Sequence, residues 1–223
     1  MRNPRPASAE HTERTPRLSM TAANPNTNPT GEPPAKPLRA DARRNRALVL
    51  QAARSAFASE GLAVPLDEIA RRAGVGPGTV YRHFPTKDAL FAAVIVDVLE
   101  ALCEQADELV QSPDPGAAFF AFVTGLITTG ATNQAIFDAL SGAPEEVQSA
   151  CATVSEQLSA ALDALLTRAQ GADAVRNDVT AADLKALLVG ALAAQTAAAP
   201  DATPARLVQV TCDGLRTPRS IND

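Results

Sequence analysis

Residues 65–84 read Pro-Leu-Asp-Glu-Ile-Ala-Arg-Arg-Ala-Gly-Val-Gly-Pro-Gly-Thr-Val-Tyr-Arg-His-Phe, a stretch that admits few local structures. Leu66, Ile69, Ala70 and Ala73 recur at the spacing of one helical face. Gly74 stands where a helix end favours the left-handed region, which costs glycine almost nothing. Pro77 suits the first turn of a second helix, because its missing N–H has no partner there anyway. Val80 and Phe84 turn that helix inward and leave Thr79, Tyr81, Arg82 and His83 facing out. Two helices around a tight glycine turn predict a helix-turn-helix whose second helix reads a DNA groove.

The flanks fit such a module. Residues 39–60 predict a preceding helix with Val49, Ala52, Ala53, Ala56 and Phe57 as its buried stripe and Gly61 at its end. Arg43, Arg44 and Arg46 then fall in its first turns, where a cation opposes the helix macrodipole at roughly 0.3–1 kcal/mol each. A bound phosphate would relieve that conflict; a solvated basic face is the other reading. Asp67 and Glu68 suit the start of their helix, so they read as helix-stabilising rather than catalytic. Thr86 predicts the N-cap of a long helix carrying Leu90, Phe91, Val94, Ile95, Val98, Leu99 and Leu102.

Charge divides the chain in the same place. The net charge is −5, yet residues 36–88 hold ten Lys or Arg against five Asp or Glu, and residues 89–223 hold six against seventeen. A basic module on an acidic body fits a small DNA-binding unit joined to a domain that does not touch DNA. Residues 1–38, rich in Pro, Asn and Thr, cannot bury enough apolar surface to offset ordering and predict a disordered tail.

Other chemistries find little support. Gly74, Gly76 and Gly78 suggest a phosphate loop, but a dinucleotide loop needs a glycine where Thr79 stands and a strand before it. Two histidines, His11 and His83, cannot supply a catalytic pair or a metal set, so no enzyme activity, metal or cofactor is expected. Cys103, Cys151 and Cys212 lie far apart, which suits a reducing cytoplasm. A thiol-based redox regulator is one alternative, and a helical dimer that ignores DNA is another. The longest apolar run, residues 186–199, is too short and alanine-rich to span a bilayer, so a cytoplasmic protein with no membrane partner is expected.

Beyond residue 98 the punctuation is helical throughout. Pro113 and Pro115 open a helix rich in Phe119, Phe120, Phe122, Leu126 and Ile127. Residues 133–140 and 145–169 predict two more, and residues 171–179 a polar linker. Thr180, with Asp183 as capping-box partner, opens the next, and Thr203-Pro204 the last. The expected fold is all-α: a three-helix helix-turn-helix DNA-binding domain over residues 40–98, then a helical ligand-binding and dimerisation domain over residues 99–218.

The run Gly74-Val75-Gly76-Pro77-Gly78-Thr79-Val80-Tyr81-Arg82-His83-Phe84-Pro85-Thr86-Lys87-Asp88-Ala89-Leu90 resembles the TetR (tetracycline repressor) family of bacterial transcriptional regulators. Val49-Leu50-Gln51-Ala52-Ala53, Phe57, Gly61 and Asp67-Glu68-Ile69-Ala70 are similar to that family's first two helices. The likeness spans residues 39–96; further on, only Asn133-Gln134-Ala135-Ile136-Phe137 is faintly similar to one branch. It implies a homodimer with one recognition helix per subunit in a palindromic operator, and a small-molecule effector that binds the C-terminal domain and releases the DNA. Repression is the family default. The resemblance also implies that Gly76, Pro77 and Gly78 start the recognition helix close to the DNA backbone, and that Thr79 and Arg82 reach bases or phosphate. Tyr81 and His83 would bind phosphate, and Lys87 would clamp one, with Arg43 and Arg44 as further contacts. From the residues alone, Tyr81 could equally pack under its helix and His83 cap its end. Two departures stand out: Pro65 replaces the usual Ser or Thr cap, and Pro77 and Gly78 offer no side-chain donor. Discrimination then leans on Thr79, Arg82 and Asp67, each good base contact being worth about 1–3 kcal/mol.

For a largely apolar effector, the candidate lining is Leu102, Phe119, Phe122, Phe137 and Leu158, with Thr128, Asn133, Gln134 and Gln157 as polar fixers. Ordinary core packing is the other reading of each aromatic. The last two helices, residues 180–198 and 203–217, are expected to pair between subunits through Leu184, Leu187, Leu188, Ala191, Leu207, Val208 and Leu215. Ligand is expected to tilt the helix that starts at Thr86 and so change the recognition-helix separation, which successive major grooves set at roughly 34–36 Å.

Overall fold

Helix ends in this chain are set by side chains close in sequence, and the fold follows from them. Residues 35–196 and 203–218 are described by a computed structural model. They form α1 (Ala35–Glu60), a short 3-10 turn (Gly61–Ala63), α2 (Leu66–Ala73), α3 (Pro77–His83), α4 (Lys87–Val110) and α5 (Pro115–Thr132). Next come α6 (Gln134–Ser141), α7 (Glu145–Gly171), α8 (Ala181–Thr196) and α9 (Pro204–Leu215). The fold is all-α; among the described residues the one extended pairing is an isolated bridge between Val175 and Arg216.

Gly74 has a φ of 68° and returns its N–H to the carbonyls of Ala70 and Arg71, which closes α2 and frees the chain to turn into α3. Pro65 gives α2 no side-chain cap. Thr86 Oγ1 accepts from the Ala89 amide at 3.1 Å, and Asp114 Oδ1 from the Ala117 amide at 2.9 Å. Thr180 and Asp183 form a reciprocal box: the Asp183 amide donates to Thr180 Oγ1 at 3.2 Å, and the Thr180 amide to Asp183 Oδ2 at 3.0 Å. Each such cap contributes about 1 kcal/mol against alanine.

The start of α1 corrects the sequence reading. The helix begins at Ala35, not at residue 39. Pro37 sits in the first turn, where the N–H it lacks has no intrahelical acceptor, so it does not stop the helix. Arg43, Arg44 and Arg46 therefore lie beyond the first two turns, and the expected conflict with the macrodipole is absent, because that field fades within one turn. The expected tail falls, up to residue 34, outside the described residues.

Two apolar cores hold the helices. The first gathers Val49, Ala53 and Phe57 of α1, Ile69 of α2, Val80 of α3 and Leu90, Phe91, Val94 and Ile95 of α4. Phe57 and Phe91 meet edge-to-face with ring centroids 5.9 Å apart, tying α1 to α4. Ile136 of α6 and Val147 and Cys151 of α7 belong to this same core. The second core takes Phe119, Phe122, Val123 and Ile127 of α5, Leu162, Leu165 and Leu166 of α7, Leu184 and Leu188 of α8 and Leu215 of α9. α4 contributes to both, so the boundary read at residues 98–99 falls inside one continuous helix. By length and composition α5 could cross a membrane, a stretch the sequence reading passed over in favour of residues 186–199. Its large side chains are instead buried in the second core.

Candidate nucleic-acid interface

The seven residues of α3 are held by their inner face. Val80 is fully buried and Phe84, just beyond the helix, nearly so. The same geometry turns Gly76, Pro77, Gly78, Tyr81 and Arg82 outward, with Thr79 and His83 half-buried. Tyr81 is 46% exposed, which removes the reading in which it packs under the helix. The Asp67 carboxylate beside it on α2 raises its phenol pKa above the ordinary value of 10.0, since a second negative charge there is unfavourable. Arg82 makes no hydrogen bond or ion pair among the described residues and stands exposed. His83 lies at the end of α3 with its ring tilted against Phe84 at 6.1 Å.

Neighbouring cations divide into committed and available groups. Arg71 bonds Glu68 through two nitrogens at 2.8 and 2.7 Å, and Arg72 bonds Glu68 at 2.8 Å and also Glu60. These guanidiniums, Arg71 first, hold the Glu68 carboxyl at about 2. Arg46 stacks its guanidinium over the Phe84 ring at 5.8 Å, so the basic stretch of α1 lies beside the end of α3. Arg43 and Arg44 are exposed on that stretch. Lys87 has a partner that the sequence does not reveal: its Nζ donates to the Leu62 carbonyl at 2.7 Å, pinning the 3-10 turn to the start of α4. An ammonium has two further donors, so phosphate contact stays chemically open to it.

In the C-terminal half the expected ligand residues scatter. Leu102, Phe119 and Phe122 are buried in packed surroundings, and Phe137 is half-buried against the first core. Thr128 is exposed, with its hydroxyl donating to the Thr124 carbonyl, and Gln157 is exposed. Gln134 donates to Asp138 at 2.7 Å, while its Oε1 is buried without a partner among the described residues. Asn133 is buried, its Nδ2 donating to the Thr129 carbonyl and its Oδ1 accepting from Arg54. Leu158 alone of the expected set lines a cavity of about 270 Å³ between α5, α7 and α8. Its other walls are Leu126, Leu162, Leu188, Val189 and Leu192, with Ser159, Asp163 and Lys185 as polar members.

The expected subunit contacts also divide. Leu184, Leu188, Ala191 and Leu215 are buried in the chain's own second core, with Ala191 also lining the depression between α8 and α9. Leu207 and Val208 are half-buried, and Leu187 is 47% exposed. Val189 and Val210 add exposed apolar surface on the same two helices. A shallow depression lined by Ala186, Leu187, Gly190, Ala194, Leu207 and Thr211 runs between α8 and α9.

Comparison with known proteins agrees with this arrangement. Residues 49–94 match the family described as bacterial regulatory proteins, tetR family. Residues 114–217 match the C-terminal domain of SbtR-like transcriptional regulators. The crystal structure of a TetR transcription regulatory protein from Mycobacterium vanbaalenii is 46% identical, with 81% of this chain and 99% of that one covered and a TM-score of 0.66. The chain belongs to the TetR family. A second member, from Streptomyces coelicolor, is 32% identical over 78% of this chain and 99% of its own, with a TM-score of 0.62. The uncharacterised HTH-type regulator YhgD of Bacillus subtilis is 35% identical over 69 residues, which span only 36% of that protein.

As a TetR-family member the protein is a DNA-binding transcriptional regulator, and α2 and α3 are its helix-turn-helix. Burial pushes the thiols of Cys103, Cys151 and Cys212 above the usual value of 9.0, with Asp107 and Glu100 adding to the effect at Cys103, so the reactive thiolate is scarce. The sequence reading missed the cavity walls on α8. The available signal was that α8 is apolar around most of its circumference, which requires partners on more than one side.

Proposed function

We propose that this regulator binds a palindromic operator as a homodimer, represses from it, and is released by a small, largely apolar ligand. The observation that carries the reading is α3: a short helix locked by Val80 and Phe84, with Tyr81 and Arg82 exposed on its outer face and Arg82 without a hydrogen bond or ion pair among the described residues. Thr79 and Arg82 would read base edges, while Tyr81, His83, Lys87, Arg43 and Arg44 would hold phosphates. With no side chain at Gly78 and a ring at Pro77, few direct base contacts remain, so DNA shape carries much of the specificity.

Dimerisation is supported by the exposed apolar Leu187 and Val210 on α8 and α9, surface that a lone chain leaves in water. Pairing through these helices gives a four-helix bundle with a two-fold axis, which a palindrome mirrors. The effector reading rests on the cavity between α5, α7 and α8, apolar in its walls with Lys185 and Asp163 among its lining. Selection of bound duplexes from a random pool tests the reading, followed by a reporter screen for releasing compounds. Enrichment of an inverted repeat is the expected result, and binding without any repeated half-site would refute it.

A further inference from the structure

Asn133, at the corner between α5 and α6, is the one buried polar residue among those described, with 1% of its surface exposed. Its backbone N–H donates to the carbonyls of Thr129 and Gly130, and its own carbonyl accepts from the amides of Ile136 and Phe137. The side chain is equally committed: Nδ2 donates to the Thr129 carbonyl at 2.7 Å, and Oδ1 accepts from Arg54 Nε at 2.9 Å. Arg54 lies 79 residues earlier, half-buried on α1. Among the described residues this is the one side-chain hydrogen bond between α1 and the C-terminal half. A charged donor on a neutral acceptor in a water-poor corner is stronger than an ordinary pair, and leaving Oδ1 unpaired there would be costly.

The same turn of α5 is fixed on its other side. A Cβ added to buried Gly130 would lie 2.0 Å from Leu192 Cδ2, so the end of α5 rests directly on α8. Leu192 is also part of the cavity wall. One turn, residues 130–133, thus touches the cavity wall and α1 together. α4 joins the two cores as a single rod, and a rod alone leaves rotation about its axis. A second attachment away from that axis removes the rotation: Ile136 of α6 packs into the first core, and the Arg54–Asn133 bond adds a directional contact between α1 and the same corner.

We propose that Arg54 and Asn133 are positioning residues: their bond holds the DNA-binding unit at one angle to the C-terminal domain, and the Gly130–Leu192 contact passes the state of the cavity to that bond. This rests on the dimeric, palindrome-binding reading above, because only a dimer converts an angle into a spacing between two recognition helices.

The test uses full-length Arg54→Ala, Asn133→Ala, the double variant and Gly130→Ala. Each is titrated with the selected palindrome and with duplexes carrying one base pair inserted or deleted at the dyad. Wild type should discriminate against altered spacing, and Arg54→Ala should lose that discrimination by roughly tenfold while still binding a single half-site. The double variant should lose no more than either single one, and Gly130→Ala, remote from the helix-turn-helix, should change in the same direction. Circular dichroism confirms folding, and Arg54→Ala decides the matter if Asn133→Ala does not fold. Unchanged spacing discrimination in Arg54→Ala overturns the positioning role alone, as do additive losses in the double variant. A wild type that selects no palindrome overturns the dimeric reading and this proposal with it.

Discussion

Replacing Gly78 by alanine should stabilise the free protein and weaken its complex with DNA. Gly78 is the second residue of α3, exposed, and not among the glycines at positive φ. A Cβ built there meets nothing within 4 Å. Alanine therefore fits without strain, and relief of glycine's entropic cost stabilises the helix by about 0.5–1 kcal/mol. For a chain of this length that corresponds to a rise in Tm of roughly 1–4 °C. The sign reverses on DNA if the start of α3 lies against the duplex, because the added methyl occupies the space between helix and backbone. A loss of about 1–3 kcal/mol, on the order of tenfold or more in Kd, is expected by analogy with other core overpacking. Thermal melting of the free protein and fluorescence anisotropy on the selected duplex measure the two halves separately. A higher Tm with unchanged affinity would show that the start of α3 does not approach DNA. A lower Tm would show that the open surroundings of Gly78 are wrong.

Leu187→Glu should yield monomers by sedimentation velocity with an unchanged helical spectrum, whereas Leu184→Glu, three residues earlier and fully buried, should unfold the C-terminal half. Phe57→Ala removes one ring of the edge-to-face pair with Phe91 and should cost about 3–5 kcal/mol in denaturant unfolding. Glu68 contributes stability that is complete above its ordinary pKa of 4.5 and is lost as pH falls through its lowered value of about 2. The stability difference between wild type and Glu68→Gln should accordingly stay constant near neutrality and shrink across that acidic window; a difference that grew on acidification would contradict the Arg71 and Arg72 pairing.

What could be read from the sequence was what is decided locally. The caps at Thr86, Thr180 and Thr203 lie within three residues of the amides they bond, and Gly74 needs only its own backbone. The helix-turn-helix was legible for the same reason, since Val80 and Phe84 against Tyr81 and Arg82 separate the two faces of α3. The start of α1 was missed because Pro37 reads as a breaker unless the first turn is already known to be there. Apolar residues surround most of α8, so Leu184 and Leu187 look alike in the sequence until the rest of the chain covers one of them. Phe119 and Phe122 are large enough either to line a pocket or to fill a core, and size does not separate the two; both lie in the second core. Bonds such as Arg54 to Asn133 and Lys87 to Leu62 join residues 79 and 25 positions apart, and no local pattern announces them.

The central claim is that the exposed face of α3 reads DNA, and the direct measurement is selection of duplexes from one random pool by wild type and by Arg82→Ala side by side. Wild type should enrich an inverted repeat, and the variant should relax one base position in each half-site, symmetrically about the dyad, with a loss of about 1–3 kcal/mol at that position. The same consensus at the same affinity from both proteins would contradict the account.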